Sequence, residues 1–93
     1  MEEKTIERIK TIITTDRLLK KHLYKDIWLS GSSTMVYPIT IWKHRVDIQL
    51  DTNKDVFTKC IERIVNANKD LFKCGIFSKN DGSCPSELIF FFN

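Results

Sequence analysis

The side chains best suited to covalent catalysis or metal binding are few in this chain of 93 residues, and they lie far apart. Cys60, Cys74 and Cys84 form no CxxC pair, and His22 and His44 each stand alone. A nucleophile needs a base beside it, and zinc ligands usually come in closely spaced pairs. The sequence therefore predicts no catalytic residue, no metal site and no cofactor, and the two histidines are expected on the solvated surface.

Two further patterns have a chemical and a simpler explanation. Asp47, Gln49 and Asp51 alternate along a predicted strand, which places two carboxylates on one face, but any solvent-facing strand has this pattern. The small residues at 30–34 could offer backbone N–H groups to a phosphate, but neither GxxxxGK[ST] nor GxGxxG is present. We therefore expect a protein that is not an enzyme.

Basic side chains indicate one class of partner, nucleic acid. Lys and Arg neutralise phosphates, and they cluster here on a predicted helix and at a predicted hairpin tip. The net charge is only +3, however, which gives a weak attractive field. A small DNA- or RNA-binding regulator is the alternative function, and it would use Arg17, Lys20, Lys21, Lys25, Lys43 and Arg45.

Aromatic side chains beside the same hairpin tip favour a protein partner instead. Protein binding requires no catalytic motif, only a rigid scaffold and a few aromatic anchors. The residues expected to bind are Tyr37, Trp42, Lys43, His44 and Arg45. We predict a small non-catalytic protein that recognises and blocks or regulates another protein. Pairing through an edge strand keeps a homodimer open as well.

Composition bears on the setting of this protein. Ile, Lys, Phe and Asn, whose codons are AT-rich, are abundant, whereas Gly and Pro number three and two. Phages, other viruses and low-GC bacteria often have AT-rich genomes, so we expect a phage or viral accessory factor or an immunity-type factor. No apolar run approaches the ~20 residues that span a bilayer, and an odd number of cysteines suits a reducing compartment. We expect no membrane partner and a cytoplasmic location, in the host cytoplasm if the protein is viral.

The elements that position these residues are predicted from the hydrophobic pattern. The chain is short enough for a single compact domain over residues 1–93. The pattern predicts an α+β fold with an N-terminal helix or helix pair, a mainly antiparallel sheet of about five strands, and one long amphipathic helix on one face. The expected order is α(α)-β-β-β-α-β-β.

The first half of the chain supplies helices and then strands. Asp16 is the expected N-cap of a second short helix, although one bent helix fits nearly as well. Strands are predicted over 27–29, 35–42 and 46–50, with a turn at 43–45. Pro38 indicates that the second of these strands lies at a sheet edge or carries a bulge, because proline cannot donate to the ladder.

The second half should contain the long helix and the last two strands. Apolar residues over 56–72 repeat at helical spacing, with a capping box at 52–55 and a stop at Gly75. Cys60 lies on the apolar stripe of this helix, where a reduced thiol behaves as a small hydrophobe. Strands over 76–77 and 88–92 follow, and the second is apolar on both faces, so it is expected inside the sheet.

Overall fold

A computed structural model describes residues 2–24, 38–54, 56–79 and 86–93, which form three helices and four strands. The elements follow in the order α1 (Glu3–Thr15), α2 (Arg17–His22), β1 (Ile39–Ile41), β2 (Arg45–Leu50), α3 (Thr58–Ala67), β3 (Phe72–Ser78) and β4 (Ser86–Phe92). The predicted α+β fold with helices first is therefore confirmed, with four described strands where about five were expected. The predicted strand over 27–29 lies outside the described residues.

The strands pair in the spatial order β1-β2-β4-β3, and every pairing is antiparallel. Strand β4 lies between β2 and β3, as its apolar character on both faces predicted. Strand β1 is at an edge of the described sheet and follows Pro38 directly, which agrees with the first of the two alternatives predicted from Pro38. Ile41 lies opposite Val46, and Val46 lies opposite Phe90, so these three side chains share one face of the sheet.

All three helices contribute side chains to a core on that face. The buried cluster consists of Ile9, Ile13, Leu19, Val46, Ile48, Leu50, Phe57, Cys60, Ile64, Phe72, Leu88 and Phe90. Burying a large apolar side chain stabilises a fold by about 1.5–3 kcal/mol. The alternation of strand β2, with Val46, Ile48 and Leu50 buried, is the period-two pattern that predicted it.

The N-terminal region is a helix pair rather than one bent helix. Helix α1 ends at Thr15, and the Asp16 side chain accepts hydrogen bonds from the backbone N–H groups of Leu18 and Leu19, both at 3.1 Å. Asp16 therefore caps α2, as predicted. None of the helices in the described ranges has the length and apolar character that a membrane crossing requires.

Helix α3 is shorter than the pattern predicted. It ends at Ala67, and the Asn68 side chain donates to the Ile64 carbonyl at 2.9 Å where the chain turns away. Phe72 begins β3, so the predicted continuation of the helix to Phe72 and its stop at Gly75 are both wrong. The predicted helix was too long because Phe72, although it lies in a strand, packs in the same core and continues the helical spacing.

The predicted capping box is also wrong. The Thr52 hydroxyl oxygen accepts a hydrogen bond from the N–H of Lys54 at 3.2 Å, which is a local turn well before the first helical residue, Thr58. Phe57 occupies the position before the helix and makes no capping hydrogen bond through its side chain. The N-terminal end of α3 is instead held in position by the ring of Phe57, which is fully buried.

Strands β3 and β4 form the C-terminal antiparallel pair that was expected. Strand β3 is longer than predicted, spanning Phe72–Ser78 rather than 76–77. The residues between the two strands, 80–85, lie outside the described ranges. Gly75 lies within β3, opposite Phe90 of β4.

Candidate functional site

Trp42 is the most exposed large apolar side chain in the described ranges, with 54% of its surface accessible. It follows β1, the short edge strand, and opens the turn into β2. The indole Nε1–H of Trp42 donates to Asp47 Oδ2 at 3.0 Å. The ring is therefore exposed to solvent and at the same time held in one orientation, which lowers the entropy cost of using it for binding.

Asp47 also lies next to Arg45 on strand β2. Its Oδ1 is 3.1 Å from Arg45 Nε, a distance typical of an ion pair, and 15% of the Asp47 side chain is accessible. One carboxylate thus holds Trp42 through a hydrogen bond and lies within ion-pair distance of Arg45, a second predicted binding residue. The sequence analysis interpreted Asp47 only as part of a solvent-facing strand and missed this contact.

A cavity of about 580 Å³ opens beside the Trp42 ring. Its described lining consists of Ile6, Ile41, Trp42 and Lys43, which we call the Trp42 surface. Ile6 comes from α1, whereas the other three residues come from β1 and the turn after it. The volume lies within the range of ligand pockets, about 300–1,000 Å³, and the lining is mostly apolar.

Backbone hydrogen bonds fix the turn that carries this surface. The N–H of Trp42 donates to the carbonyl of Arg45 at 2.8 Å and closes the turn, with Lys43 and His44 exposed at its tip. The N–H of Phe92 donates to the carbonyl of His44 at 3.0 Å and ties the tip to the end of β4. The predicted turn is therefore in place, although Arg45 is already the first residue of β2.

The structure brings together four of the five residues predicted to bind protein. Lys43, His44 and Arg45 follow Trp42 around the turn, and Tyr37 lies outside the described residues. The sequence pattern that predicted these residues is an aromatic residue next to a basic turn. Ile6 could not be found this way, because it is far from Trp42 in the sequence and lines the same cavity only in the folded chain.

The residues of the nucleic-acid alternative fall into two separate groups. Arg17, Lys20 and Lys21 lie on α2, and Lys25 lies outside the described residues. A backbone bridge between Leu23 and Leu50 places the end of α2 at the C-terminal end of β2, whereas Arg45 begins that strand. At about 3.4 Å per residue, the length of β2 separates the two groups by roughly 17 Å.

These observations are the basis for any functional assignment, because the comparisons add none. The chain matches no known family model, no characterised protein and no solved structure.

Cys60 has the environment of a core residue rather than of a nucleophile. Burial, together with the nearby negative charge of Asp16, raises the pKa of the Cys60 thiol to about 11. Cysteine reacts as the thiolate, so this thiol is protonated and unreactive near neutral pH. Cys60 Sγ lies 3.8 Å from Asp16 Oδ1, within the same buried cluster.

Asp16 is a buried carboxylate with a structural task. Burial alone would raise its pKa, but the hydrogen bond from Arg63 and those from the backbone N–H groups of Leu19 and Leu18 outweigh it, so the pKa of Asp16 is lowered. Its contacts with the N–H groups of Leu18 and Leu19 cap α2, and its contacts with Cys60 and Arg63 join this cap to α3. We therefore assign Asp16 to the stability of the helix packing.

His22 is not the freely solvated residue that was expected. Its Nδ1 lies 3.0 Å from Asp51 Oδ1, and 23% of its side chain is accessible. A carboxylate can orient a catalytic imidazole in this way. However, within the described part of the chain no hydroxyl or thiol is hydrogen-bonded to His22, and the pair does not line the Trp42 cavity. Since the N–H of Asp51 also donates to the His22 carbonyl at 2.9 Å, the pair fastens α2 to the end of β2.

Cation binding has no support from side-chain positions either. Across residues 2–24, 38–54, 56–79 and 86–93, no three His, Cys, Asp or Glu side chains converge as metal ligands would. The Trp42 surface is therefore the best candidate for the functional site.

Proposed function

We propose that this protein is a small, non-catalytic, cytoplasmic binding protein that recognises another protein through the Trp42 surface and thereby blocks or regulates it. A phage or viral accessory factor or an immunity-type factor is the proposed setting. The observation that carries the proposal is the exposed Trp42 ring, held by Asp47 beside an open apolar cavity.

The energetics of a tryptophan anchor support this proposal. Protein interfaces draw most of their binding energy from a few residues, among which Trp, Tyr and Arg are enriched. Burying a further 100 Å² or so of indole would contribute about 2.5 kcal/mol. Because Asp47 already holds the ring, little conformational freedom of Trp42 remains to be lost on binding.

The arrangement of charges gives the nucleic-acid alternative less support. Its described basic residues form two groups that lie near opposite ends of β2, and Arg45 is already beside the carboxylate of Asp47. Affinity for a phosphate backbone rises with the number of phosphates that Lys and Arg neutralise. A cation that is already paired with a carboxylate of its own chain, as Arg45 is, contributes less.

The test is partner capture with matched variants. The wild-type protein, Trp42→Ala and Ile76→Ala would each be cross-linked in a lysate of the cells in which the protein occurs, the host cells if it is viral, and recovered proteins would be quantified. Ile76 is the control because it is an exposed apolar residue, 48% accessible, on β3 at the other edge of the described sheet. We expect one stoichiometric partner with wild type and Ile76→Ala, and at least tenfold less of it with Trp42→Ala.

Two results would contradict the proposal. One is a partner that Trp42→Ala retains fully, since the anchor would then be elsewhere. The other is co-purifying nucleic acid with an affinity that falls roughly 10³–10⁵-fold between 50 and 200 mM salt, the signature of six to ten phosphate contacts. That second result would move the assignment to the nucleic-acid alternative.

A further inference from the structure

The chemistry of the Trp42 surface also indicates what kind of partner segment it accepts, an inference that depends on the proposed function. The described lining of the cavity is apolar apart from Lys43, and it otherwise consists of Ile6, Ile41 and Trp42. A volume of about 580 Å³ accommodates one large apolar side chain together with the backbone that carries it. The hydrophobic effect would therefore place an aromatic or branched aliphatic side chain there.

The turn beside the cavity is basic. Lys43 lines the cavity and is exposed, and His44 is exposed next to it. Among the described residues, the ion pairs of the chain do not involve Lys43. Asp47, the carboxylate on the adjacent strand, is already engaged with Trp42 and with Arg45. The ammonium group of Lys43 is thus available to a negative charge on a partner.

The part of the cavity lining that comes from α1 does not share this polarity. Near Ile6, Glu2 and Glu3 lie one turn earlier and Lys10 lies one turn later. Charges of both signs therefore lie near Ile6, and this part of the lining offers no net attraction for a carboxylate. An acidic group on the partner would therefore be drawn to the turn rather than to the helix.

We propose that the Trp42 surface binds an acidic protein segment in which one large apolar side chain fills the cavity and a neighbouring Asp or Glu pairs with Lys43. Charge complementarity selects this segment over a basic one, because a Lys or Arg beside the anchor would meet Lys43 at close range. The apolar anchor contributes most of the affinity, and the carboxylate contributes the specificity for the partner.

The experiment uses random 12-residue peptides displayed on phage and selected against the full-length wild-type protein. Enriched peptides would be synthesised, and their affinities measured by fluorescence polarisation. The binding proteins would be wild type, Trp42→Ala, Lys43→Glu and Lys59→Glu. Lys59 is exposed on α3, so Lys59→Glu makes the same change in net charge at a distant place and controls for long-range effects.

We expect the enriched peptides to carry an aromatic or aliphatic residue with Asp or Glu close to it. Trp42→Ala should weaken their binding by about 30-fold, as for an interface hot spot. Lys43→Glu should weaken it by about three- to tenfold at low salt, with most of the loss removed by high salt, because exposed pairs are weak and screened. Lys59→Glu should stay within about twofold of wild type.

The outcomes separate this inference from the proposed function. Peptides that depend on Trp42 but lack acidic residues, or that bind Lys43→Glu as well as wild type, would overturn the acidic segment and leave the binding site standing. Peptides that bind Trp42→Ala unchanged, or a selection that enriches no peptide, would overturn both.

Discussion

At the scale of single residues, two aspartates hold other parts of this protein in place. Asp47 holds the exposed indole of Trp42, and Asp16 caps α2 while pairing with Arg63 of α3. Both carboxylates contact residues of their own chain. Their effects should therefore appear as changes in orientation and in stability.

Replacing Asp47 should free the Trp42 ring without unfolding the protein. Asp47→Ala removes the acceptor of the indole N–H, whereas Asp47→Asn keeps an amide oxygen that can accept the same bond. In ¹H–¹⁵N NMR spectra we expect the Trp42 indole resonance to shift and broaden in Asp47→Ala and to stay closer to wild type in Asp47→Asn. An unchanged indole resonance in Asp47→Ala would show that packing, not this hydrogen bond, orients the ring.

Asp16 should make stability depend on pH in the acid range. Its folded-state pKa is below its ordinary value, so the ionised carboxylate stabilises the fold above the unfolded pKa, and this contribution is lost as the pH falls through the folded pKa. We expect Asp16→Asn to be less stable than wild type by about 1–2 kcal/mol near neutral pH. That difference should shrink when urea unfolding is repeated near pH 3.

The comparison with Asp16→Asn isolates one carboxylate, because every other titrating group is common to the two proteins. A stability difference that stays constant between the two pH values would show that the charge of Asp16 contributes nothing. The amide of Asn would then replace the carboxylate fully as a helix cap.

At the scale of elements, the packing of α3 on β3 depends on a glycine. A Cβ at Gly75 would lie 2.9 Å from Ile61 Cγ2, 3.0 Å from Phe90 Cδ1 and 3.1 Å from the Ile89 carbonyl oxygen. Backbone and a packed ring cannot yield easily at such distances. The glycine that the sequence suggested as a helix stop instead allows a helix and a strand to approach closely.

Gly75→Ala should therefore destabilise the fold by about 1–3 kcal/mol, through overpacking. Chemical denaturation of wild type, Gly75→Ala, Ile61→Ala and the double variant measures this. Since Ile61→Ala removes the nearest clashing methyl group, the double variant should lose less stability than the sum of the two single variants. Additive losses would mean that the carbonyl of Ile89 and the ring of Phe90 set the cost alone.

The sequence predicted elements best where one periodicity decides them. Alternation along β2 correctly placed Val46 and its neighbours on the core face, because side chains of a strand alternate between faces. The end of α3 was missed because Phe72, in a strand, continues the helical spacing. In the candidate site, Trp42 was predictable from its place beside a basic turn. Ile6 and Asp47 were not, because the cavity that Ile6 shares with Trp42 and the hydrogen bond from Trp42 to Asp47 form only in the folded chain.

At the scale of the whole molecule, the last strand joins the core to the candidate site. Phe90 is fully buried and stacks on Phe72 with ring centroids 5.0 Å apart. Two residues later, the N–H of Phe92 holds the carbonyl of His44 at the turn that carries Trp42. Loss of this strand should therefore abolish both the fold and the binding surface.

Deletion of residues 90–93 should leave a chain with no cooperative thermal transition by circular dichroism. Truncating one buried phenylalanine costs about 3–5 kcal/mol, and small proteins have a total stability of about 5–15 kcal/mol. The deletion removes Phe90 together with the partly buried Phe91 and Phe92, so the combined loss is comparable with that total. Phe90→Ala is the milder variant, expected to melt cooperatively at a much lower temperature than wild type.

Deletion of Asn93 alone is the control, because it removes hydrogen bonds to Lys69 and Leu71 but no core side chain. A cooperative melt of the 90–93 deletion would show that the core does not depend on Phe90 and the end of β4.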